Sequence, residues 1–245
     1  MDENAIKWIL VLLILMFLSL LSVYFFLSFR RSGRSINMLL EVSNEIPVHN
    51  PEYILKVVEN QKELRKIVEM DSESYQDLTM GFEKYLALWK RYPKGINILI
   101  YQNEIIGIFS IWPVKGRIFK KLVEGSIAEE EVCLSDIPNI KNQGRCSTWY
   151  VSNIQIINSY RHSGIVYDLF SRTIKKWFAS NKVVLPLKIC SMAYSDPGEH
   201  LLKKAGFVKV RDKGASKSMM STYQLILRTK EDAVKFVNDF TSSRI

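Results

Sequence analysis

The sequence predicts an α+β domain, in which helices and strands are mixed along the chain, behind one N-terminal transmembrane helix. Three observations lead to this prediction. Residues 5–29 form a single long apolar segment. From residue 53 onward, segments with helical periodicity alternate with short apolar segments typical of strands. Within this alternation one strand pattern runs directly into a helix, which indicates a crossover between parallel strands in a largely antiparallel sheet.

The N-terminal apolar segment is long enough to cross a bilayer as a helix, which takes about 20 residues. Its only charged residue is Lys7. Acidic residues precede the segment, and three arginines follow it closely, namely Arg30, Arg31 and Arg34. Because positive flanks stay in the cytoplasm, we expect the N-terminus outside and the remaining chain inside. A cleaved signal peptide is the alternative, but the apolar run is too long and its positive flank lies on the wrong side.

We expect a juxtamembrane linker over residues 30–50 and one folded domain over residues 51–245. The net charge of +9 favours an anionic partner, such as cofactor phosphates or the inner membrane leaflet. The sequence has no nucleic-acid-binding motif, so we expect no nucleic-acid partner. The three cysteines and three histidines lack the spacing of a disulfide framework or a metal site, so we expect no metal.

The first half of the domain is predicted from hydrophobic periodicity. It reads as a strand, two helices and a two-strand hairpin, over residues 53–58, 61–70, 82–89, 96–101 and 104–112. The hairpin turn falls at Gln102 and Asn103. A helix over residues 116–122 follows, and an acidic, irregular stretch then extends to about residue 143.

The second half reads as strand, helix, strand and helix, over residues 147–157, 163–178, 183–193 and 196–204. The last of these helices has a strong start signal, in which Asp196 is the expected cap and Pro197 the first helical residue. Two strands, over residues 207–211 and 221–227, and a helix capped by Thr229 complete the domain.

The turn between the strand at 147–157 and the next helix is the most informative part of the sequence. It contains Arg161, His162, Ser163 and Gly164. Backbone N–H groups at such a helix start bind anions, and the helix dipole strengthens the binding. Gly164 allows close approach and Arg161 adds positive charge, which suits a pyrophosphate. The GxGxxG and GxxxxGK(S/T) patterns are absent, so an ordinary strand-to-helix turn is the alternative.

This turn resembles motif A of the GNAT acyltransferase superfamily. The family motif reads Q/R-x-x-G-x-G/A, and residues 161–166 read R-H-S-G-I-V. Ile154 and Ile156 match the branched apolar residues that precede the turn. Residues 198–208 resemble the family's helix-into-strand signature, with matches at Leu201, Lys204, Gly206 and Phe207. The resemblance covers about residues 53–227.

The resemblance implies a GNAT fold, in which two central parallel strands splay apart and hold an acyl-CoA, usually acetyl-CoA. An amine then attacks the thioester directly, so the implied activity is N-acyltransfer. The implied cofactor-binding residues are Ile154, Ile156, Arg161, His162, Ser163, Gly164, Ile165, Val166 and Ser195. The acceptor could be a small molecule, a peptide or a protein.

Three residues are the catalytic candidates under this resemblance. Tyr194 is the expected general acid, because Leu202 stands where the family often has a tyrosine. Asn153 and Ser152 are expected to order a water that accepts the amine proton. Each assignment has a structural alternative: Tyr194 could be a half-buried aromatic at a strand end, and the polar pair could be the outer face of a strand. Ser195 could equally be a helix cap.

The sequence leaves two further questions open. Aromatic residues at helical spacing could line the acceptor site or pack in the core, namely Tyr85, Trp89 and Tyr92. The domain could be an active enzyme, a CoA-binding module without turnover, or a tethered interaction protein without a cofactor. The second possibility follows from Leu202 and from Val166, which replaces the usual Gly or Ala of the motif.

Overall fold

The computed structural model describes residues 53–75, 80–139, 146–161, 163–180, 183–214 and 220–242. The predicted anchor over residues 5–29, the linker over residues 30–50 and His162 lie outside the described residues. In the part of the chain that is described, no helix combines the length and apolar character needed to span a membrane.

The strands form one seven-stranded mixed sheet in the spatial order β1-β2-β3-β4-β5-β7-β6. Their bounds are Ile54–Val57, Ile96–Tyr101, Glu104–Pro113, Thr148–Ile156, Leu187–Ala193, Val208–Arg211 and Ser221–Leu227 for β1 to β7. Only β4 and β5 pair in parallel, and every other neighbouring pair in the sheet is antiparallel. The predicted sheet is therefore confirmed, and its topology is consistent with the GNAT fold.

Six α-helices accompany the sheet in the described residues. They are Gln61–Tyr75, Phe82–Arg91, Gly116–Glu124, Ile165–Ser180, Asp196–Lys204 and Lys230–Ser242 for α1 to α6. The order of helices and strands along the chain is the predicted one, with short 3-10 turns at Glu129–Glu131, Leu134–Asp136 and Asn158–Tyr160. Helix α4 is the crossover that connects the two parallel strands.

The two faces of the sheet carry different helices. At the end of β4, Ile156 lies against α4, because a Cβ on Gly107 would meet both Ile156 Cδ1 at 2.6 Å and Leu169 Cδ2 at 3.1 Å. The adjacent Gln155 donates a hydrogen bond to the carbonyl of Met70 in α1 at 3.0 Å. Since neighbouring residues of a strand point to opposite faces, α4 and α1 cover opposite sides of the sheet.

Two predicted starts and one predicted end were wrong, and the two starts have local causes. Strand β5 begins at Leu187 instead of residue 183, because Pro186 has no N–H to donate to a strand neighbour. Ser195, not Asp196, caps α5, since its Oγ accepts a hydrogen bond from the Gly198 N–H at 3.3 Å. Helix α1 continues to Tyr75, beyond the predicted end at residue 70.

Candidate functional site

The parallel strands separate before either of them ends. Their last paired residues are Val151 and Ser191, although β4 continues to Ile156 and β5 to Ala193. The Ser191 hydroxyl donates to the Val151 carbonyl at 2.9 Å and completes the last pair. Beyond this point the strands diverge, as expected from the GNAT resemblance.

Strand β4 contains a bulge at the point of separation. Its pairing with β3 passes from Val151–Ile111 to Asn153–Ser110, which leaves Ser152 as an extra residue with no position opposite it in the β3 register. A bulge of this kind bends the strand and interrupts the alternation of its side chains.

The bulge brings Tyr150 and Asn153 to the same face of the sheet. Trp149 packs against Trp177 of α4, with ring centroids 4.7 Å apart, and Ile156 also faces α4. Residues seven positions apart would face opposite sides of a regular strand, so the extra residue restores them to one side. Tyr150 follows Trp149, and Asn153 lies three residues before Ile156. Both side chains therefore point to the opposite face of the sheet, which carries α1.

The separation of the strands opens a cleft with a volume of about 100 Å³. Five of the candidate catalytic and cofactor-binding residues line it, namely Ser152, Asn153, Ile154, Tyr194 and Ser195. Apolar side chains also contribute, among them Met80, Leu201, Leu202 and Met220. The cleft thus brings the three catalytic candidates together with part of the candidate cofactor site.

The catalytic candidates have distinct surroundings. The Ser152 hydroxyl accepts a hydrogen bond from Trp112 Nε1 at 2.8 Å. The Asn153 side chain donates to an Asp71 carboxylate oxygen. The Tyr194 side chain is 49% exposed at the cleft. Leu202, which stands where the GNAT motif often has a tyrosine, also lines the cleft. Its side chain is apolar and cannot act as an acid.

The backbone of β4 offers hydrogen-bonding groups to the gap. The Ile157 N–H donates to the Ile106 carbonyl at 3.0 Å, which fixes the alternation of the β3–β4 ladder. This alternation directs the N–H and C=O of Ile154 and Ile156 away from β3, toward the side that β5 has left. Arg161 Nε donates to the Ile156 carbonyl at 3.2 Å, whereas the Ile154 groups face the cleft.

The turn before α4 has the conformation of a glycine-dependent helix start. Gly164 has φ +77°, and no atom lies within 4 Å of where a Cβ would stand. Glycine is therefore needed for the backbone conformation, and the space above it is open. The Ser163 hydroxyl donates to the Tyr160 carbonyl at 2.6 Å, which holds the turn closed. Val166 packs against the hydrophobic core.

The sequence did not single out Glu129, which lines the cleft from the 3-10 turn after α3. Tyr150 O–H donates to Glu129 Oε2 at 2.8 Å. Burial raises the pKa of Glu129 to about 8, and the charges of Glu130 and Asp71 add to the rise while Lys84 opposes it. A carboxyl with such a pKa exchanges protons near neutral pH, which is useful to an active site.

Asp71 is a second acid that lines the cleft, and it is only 4% exposed. Its two oxygens accept hydrogen bonds from the Tyr85 hydroxyl and the Asn153 amide. Burial raises the pKa of Asp71, although both hydrogen bonds act against the rise. Asp71 follows Leu64 and Ile67 on the buried stripe of α1, and an acid on such a stripe was a usable sequence signal.

The aromatic residues of α2 and its end have different roles. Tyr85 lines the cleft. Trp89 donates to the Val58 carbonyl at 3.1 Å, and Tyr92 packs edge-on against Trp149 at 5.7 Å. Trp89 and Tyr92 therefore pack in the core and do not line the cleft, whereas Tyr85 does line it.

No protein-family model matches the sequence, and no curated protein matches it either. Among solved structures, Ard1 from Thermoplasma volcanium aligns with a TM-score of 0.49 and 11% identity, over 73% of this chain and 99% of that one. An N-acetyltransferase from Staphylococcus aureus aligns with a TM-score of 0.47 and 13% identity, over 72% and 99%. The diaminobutyrate acetyltransferase EctA from Paenibacillus lautus, solved with its substrate and coenzyme A, aligns with a TM-score of 0.45 and 12% identity, over 71% and 94%. Likeness at this level carries no argument about activity.

Proposed function

We propose that this chain is a GNAT-type N-acyltransferase, which moves an acyl group from an acyl-CoA, in the first instance acetyl-CoA, to a primary amine. One observation carries the proposal. The parallel strands separate after Val151 and Ser191, and the backbone groups of Ile154 face the gap that results. The turn that ends β4 starts helix α4, so a helix N-terminus lies at the same edge of the sheet.

The residues of this region fit an acyl-CoA. The Ile154 N–H and C=O can pair with an amide of the pantetheine arm, as a further strand would. The N–H groups at the start of α4 can hold the pyrophosphate, since the space above Gly164 is open. The guanidinium of Arg161 has more donors than the one that bonds Ile156, so it can also contact a phosphate. The net charge of +9 favours the same anionic ligand.

When bound, the cofactor supplies the thioester carbon that the amine attacks. The chain's task is then to place the amine and to move protons. Tyr194 is the proposed donor to the leaving sulfur, because it lines the cleft and Leu202 cannot donate. Ser152 and Asn153 stand at the separation of the strands, where they position groups in the cleft.

The direct test is an acyl-transfer assay with the full-length chain. Radiolabelled acetyl-CoA is incubated with a panel of primary amines, and amide formation and thiol release are followed together. The proposal predicts equal amounts of amide and free CoA. A second candidate is a CoA-binding module without turnover, which the apolar Leu202 at the cleft favours. Saturable CoA binding with no amide from any amine would select that candidate.

The location of the domain is a separate part of the proposal. We propose that residues 5–29 anchor the chain in a membrane with the catalytic domain in the cytoplasm, where acyl-CoA is available. The apolar length and the arginines after it support this topology. Protease added to sealed, right-side-out membrane vesicles should leave residues 51–245 intact. Digestion of the domain without opening the vesicles would contradict the orientation.

A further inference from the structure

The cleft carries an acidic face in a chain with a net charge of +9. Asp71 reaches it from α1 and Glu129 from the turn after α3. The bulge in β4 places both of their β4 partners, Asn153 and Tyr150, on this one face. Two carboxyl groups from distant segments thus line one cleft where the parallel strands separate.

Neighbouring charges, that of Asp71 among them, act on the Glu129 carboxyl. Burial is the largest cause of the raised pKa of Glu129, and the charges of Glu130, which also lines the cleft, and of Asp71 add to it. Burial is also the largest cause of the raised pKa of Tyr85, which donates to Asp71, and the charges of Asp71 and Glu129 add to it. Lys84 is the cation that acts on Glu129 from α2, and its Nζ donates to the Glu130 carbonyl at 2.6 Å.

A buried acceptor atom also lacks a partner at this face. Asn153 is 6% exposed and lines the cleft. Its amide nitrogen donates to Asp71, and its Oδ1 has no hydrogen-bond partner within the described residues. A buried acceptor without a partner is unfavourable, so a ligand that donates to it is favoured. Two carboxyls and an unpaired amide oxygen together favour a ligand that is rich in N–H donors.

We propose that the acceptor enters the cleft as a cationic primary amine, that Glu129 removes its first proton, and that Asp71 is the second carboxylate that attracts the cation. This inference rests on the proposed function and names the class of acceptor. An ammonium group has three N–H donors and one positive charge, which match the acceptors of this face.

The proton balance of the step is complete. The ionised Glu129 takes one proton from the ammonium and leaves a neutral amine. The nitrogen lone pair forms the bond to the thioester carbon, and the C–S bond breaks with its electron pair on sulfur. Tyr194 gives its hydroxyl proton to sulfur and takes the second proton from the nitrogen, so the amide and the free thiol form and Tyr194 ends protonated. The proton on Glu129 is released to solvent before the next turnover.

The test uses the full-length chain, acetyl-CoA and three acceptors. 1,4-Diaminobutane and an N-capped lysine amide are cationic at neutral pH, whereas 4-methoxyaniline is neutral. The wild-type chain should acetylate the cationic amines in preference to the arylamine. Its rate with them should rise with pH through about 8, where Glu129 ionises.

The decisive variant is E129Q, which keeps the shape of the side chain and removes the base. Its rate with cationic amines should fall at least about 100-fold, without the rise near pH 8 and with unchanged affinity for acetyl-CoA. Glu124→Gln is the matched control, because Glu124 is an exposed acid on α3. It should keep the wild-type rate and pH profile.

Asp71→Asn tests the attraction of the cation separately. It should raise KM for the diamine at least about tenfold and leave KM for the arylamine unchanged, because only the diamine is charged. An equal rise for both acceptors would contradict the role of Asp71.

Failure of the inference can be told apart from failure of the proposed function. A wild-type chain that does not bind acetyl-CoA contradicts the proposed function itself. Acetyl-CoA binding with no amide from any amine contradicts the proposed turnover, whereas a chain that acetylates the arylamine alone, or in preference to the cationic amines, overturns the inference alone. The same follows if E129Q acetylates cationic amines at the wild-type rate.

Discussion

At the residue scale, Glu129 makes the stability of the domain depend on pH. Its pKa near 8 in the folded chain lies above the ordinary value of 4.5. The folded state therefore holds a proton that the unfolded state releases between these values. The contribution of the protonated Glu129 to the free energy of unfolding is fully present below pH 4.5 and is lost as pH rises through about 8.

Replacing Glu129 by glutamine should remove this pH dependence. The variant and the wild type should differ most above pH 8, where E129Q should be more stable by on the order of 2–4 kcal/mol. Urea denaturation at pH 5 and pH 9 measures the difference. If the two proteins differ in free energy of unfolding by the same amount at both pH values, Glu129 ionises at its ordinary pKa in the folded chain.

Tyr194 should matter for turnover more than for cofactor binding. The Y194F change removes only the hydroxyl of a side chain that lines the cleft. If this hydroxyl donates to the leaving sulfur, kcat should fall by about 100-fold while the Kd for acetyl-CoA stays constant. Steady-state kinetics with calorimetry separates the two effects. An unchanged kcat would assign the sulfur's proton to another donor.

At the element scale, the docking of α4 on the sheet contributes buried aromatic packing to the core. Phe170 of α4 is fully buried and packs edge-on against Phe109 of β3, with ring centroids 5.5 Å apart. The F170A change should lower the free energy of unfolding by about 3–5 kcal/mol. Val208 of β6, which is 66% exposed, provides the control, since V208A should change it by less than about 0.5 kcal/mol. Equal effects in urea denaturation would contradict this assignment of the core.

The order of the elements could be predicted because each helix and strand has its own periodic pattern. Their ends could not always be predicted. Strand β5 begins only after Pro186, which has no N–H to donate. Ser195, instead of the expected Asp196, caps α5 because its side chain accepts a hydrogen bond. The bulge at Ser152 leaves no periodic signal, because its neighbours on both sides are typical strand residues.

At the scale of the whole molecule, the site combines one local segment with several distant ones. The turn before α4 is contiguous, so Gly164 and Arg161 could be read from the sequence. The acidic face is not contiguous: Asn153 and Asp71 are 82 residues apart. Glu129 lies in an irregular acidic stretch, and only the fold shows that Glu129 and the adjacent Glu130 line the cleft.

The cofactor site also needs the whole domain, because β4, β5 and the start of α4 must meet at one edge of the sheet. Gly164→Trp should fill the open space above the turn and prevent acetyl-CoA binding. Gly214→Trp is a matched control, since Gly214 has the same φ of +77° and the same open surroundings. Both changes impose a similar backbone strain of about 1–2 kcal/mol.

Calorimetric titration of the detergent-solubilised full-length chain with acetyl-CoA tests the central claim most directly. The wild type and G214W should bind about one acetyl-CoA per chain, with a gain of roughly 2.7 kcal/mol in stability at 100 times the Kd. G164W should melt like G214W and bind none. A folded wild-type chain that binds no acetyl-CoA, or a G164W chain that binds it with unchanged affinity, would contradict the account.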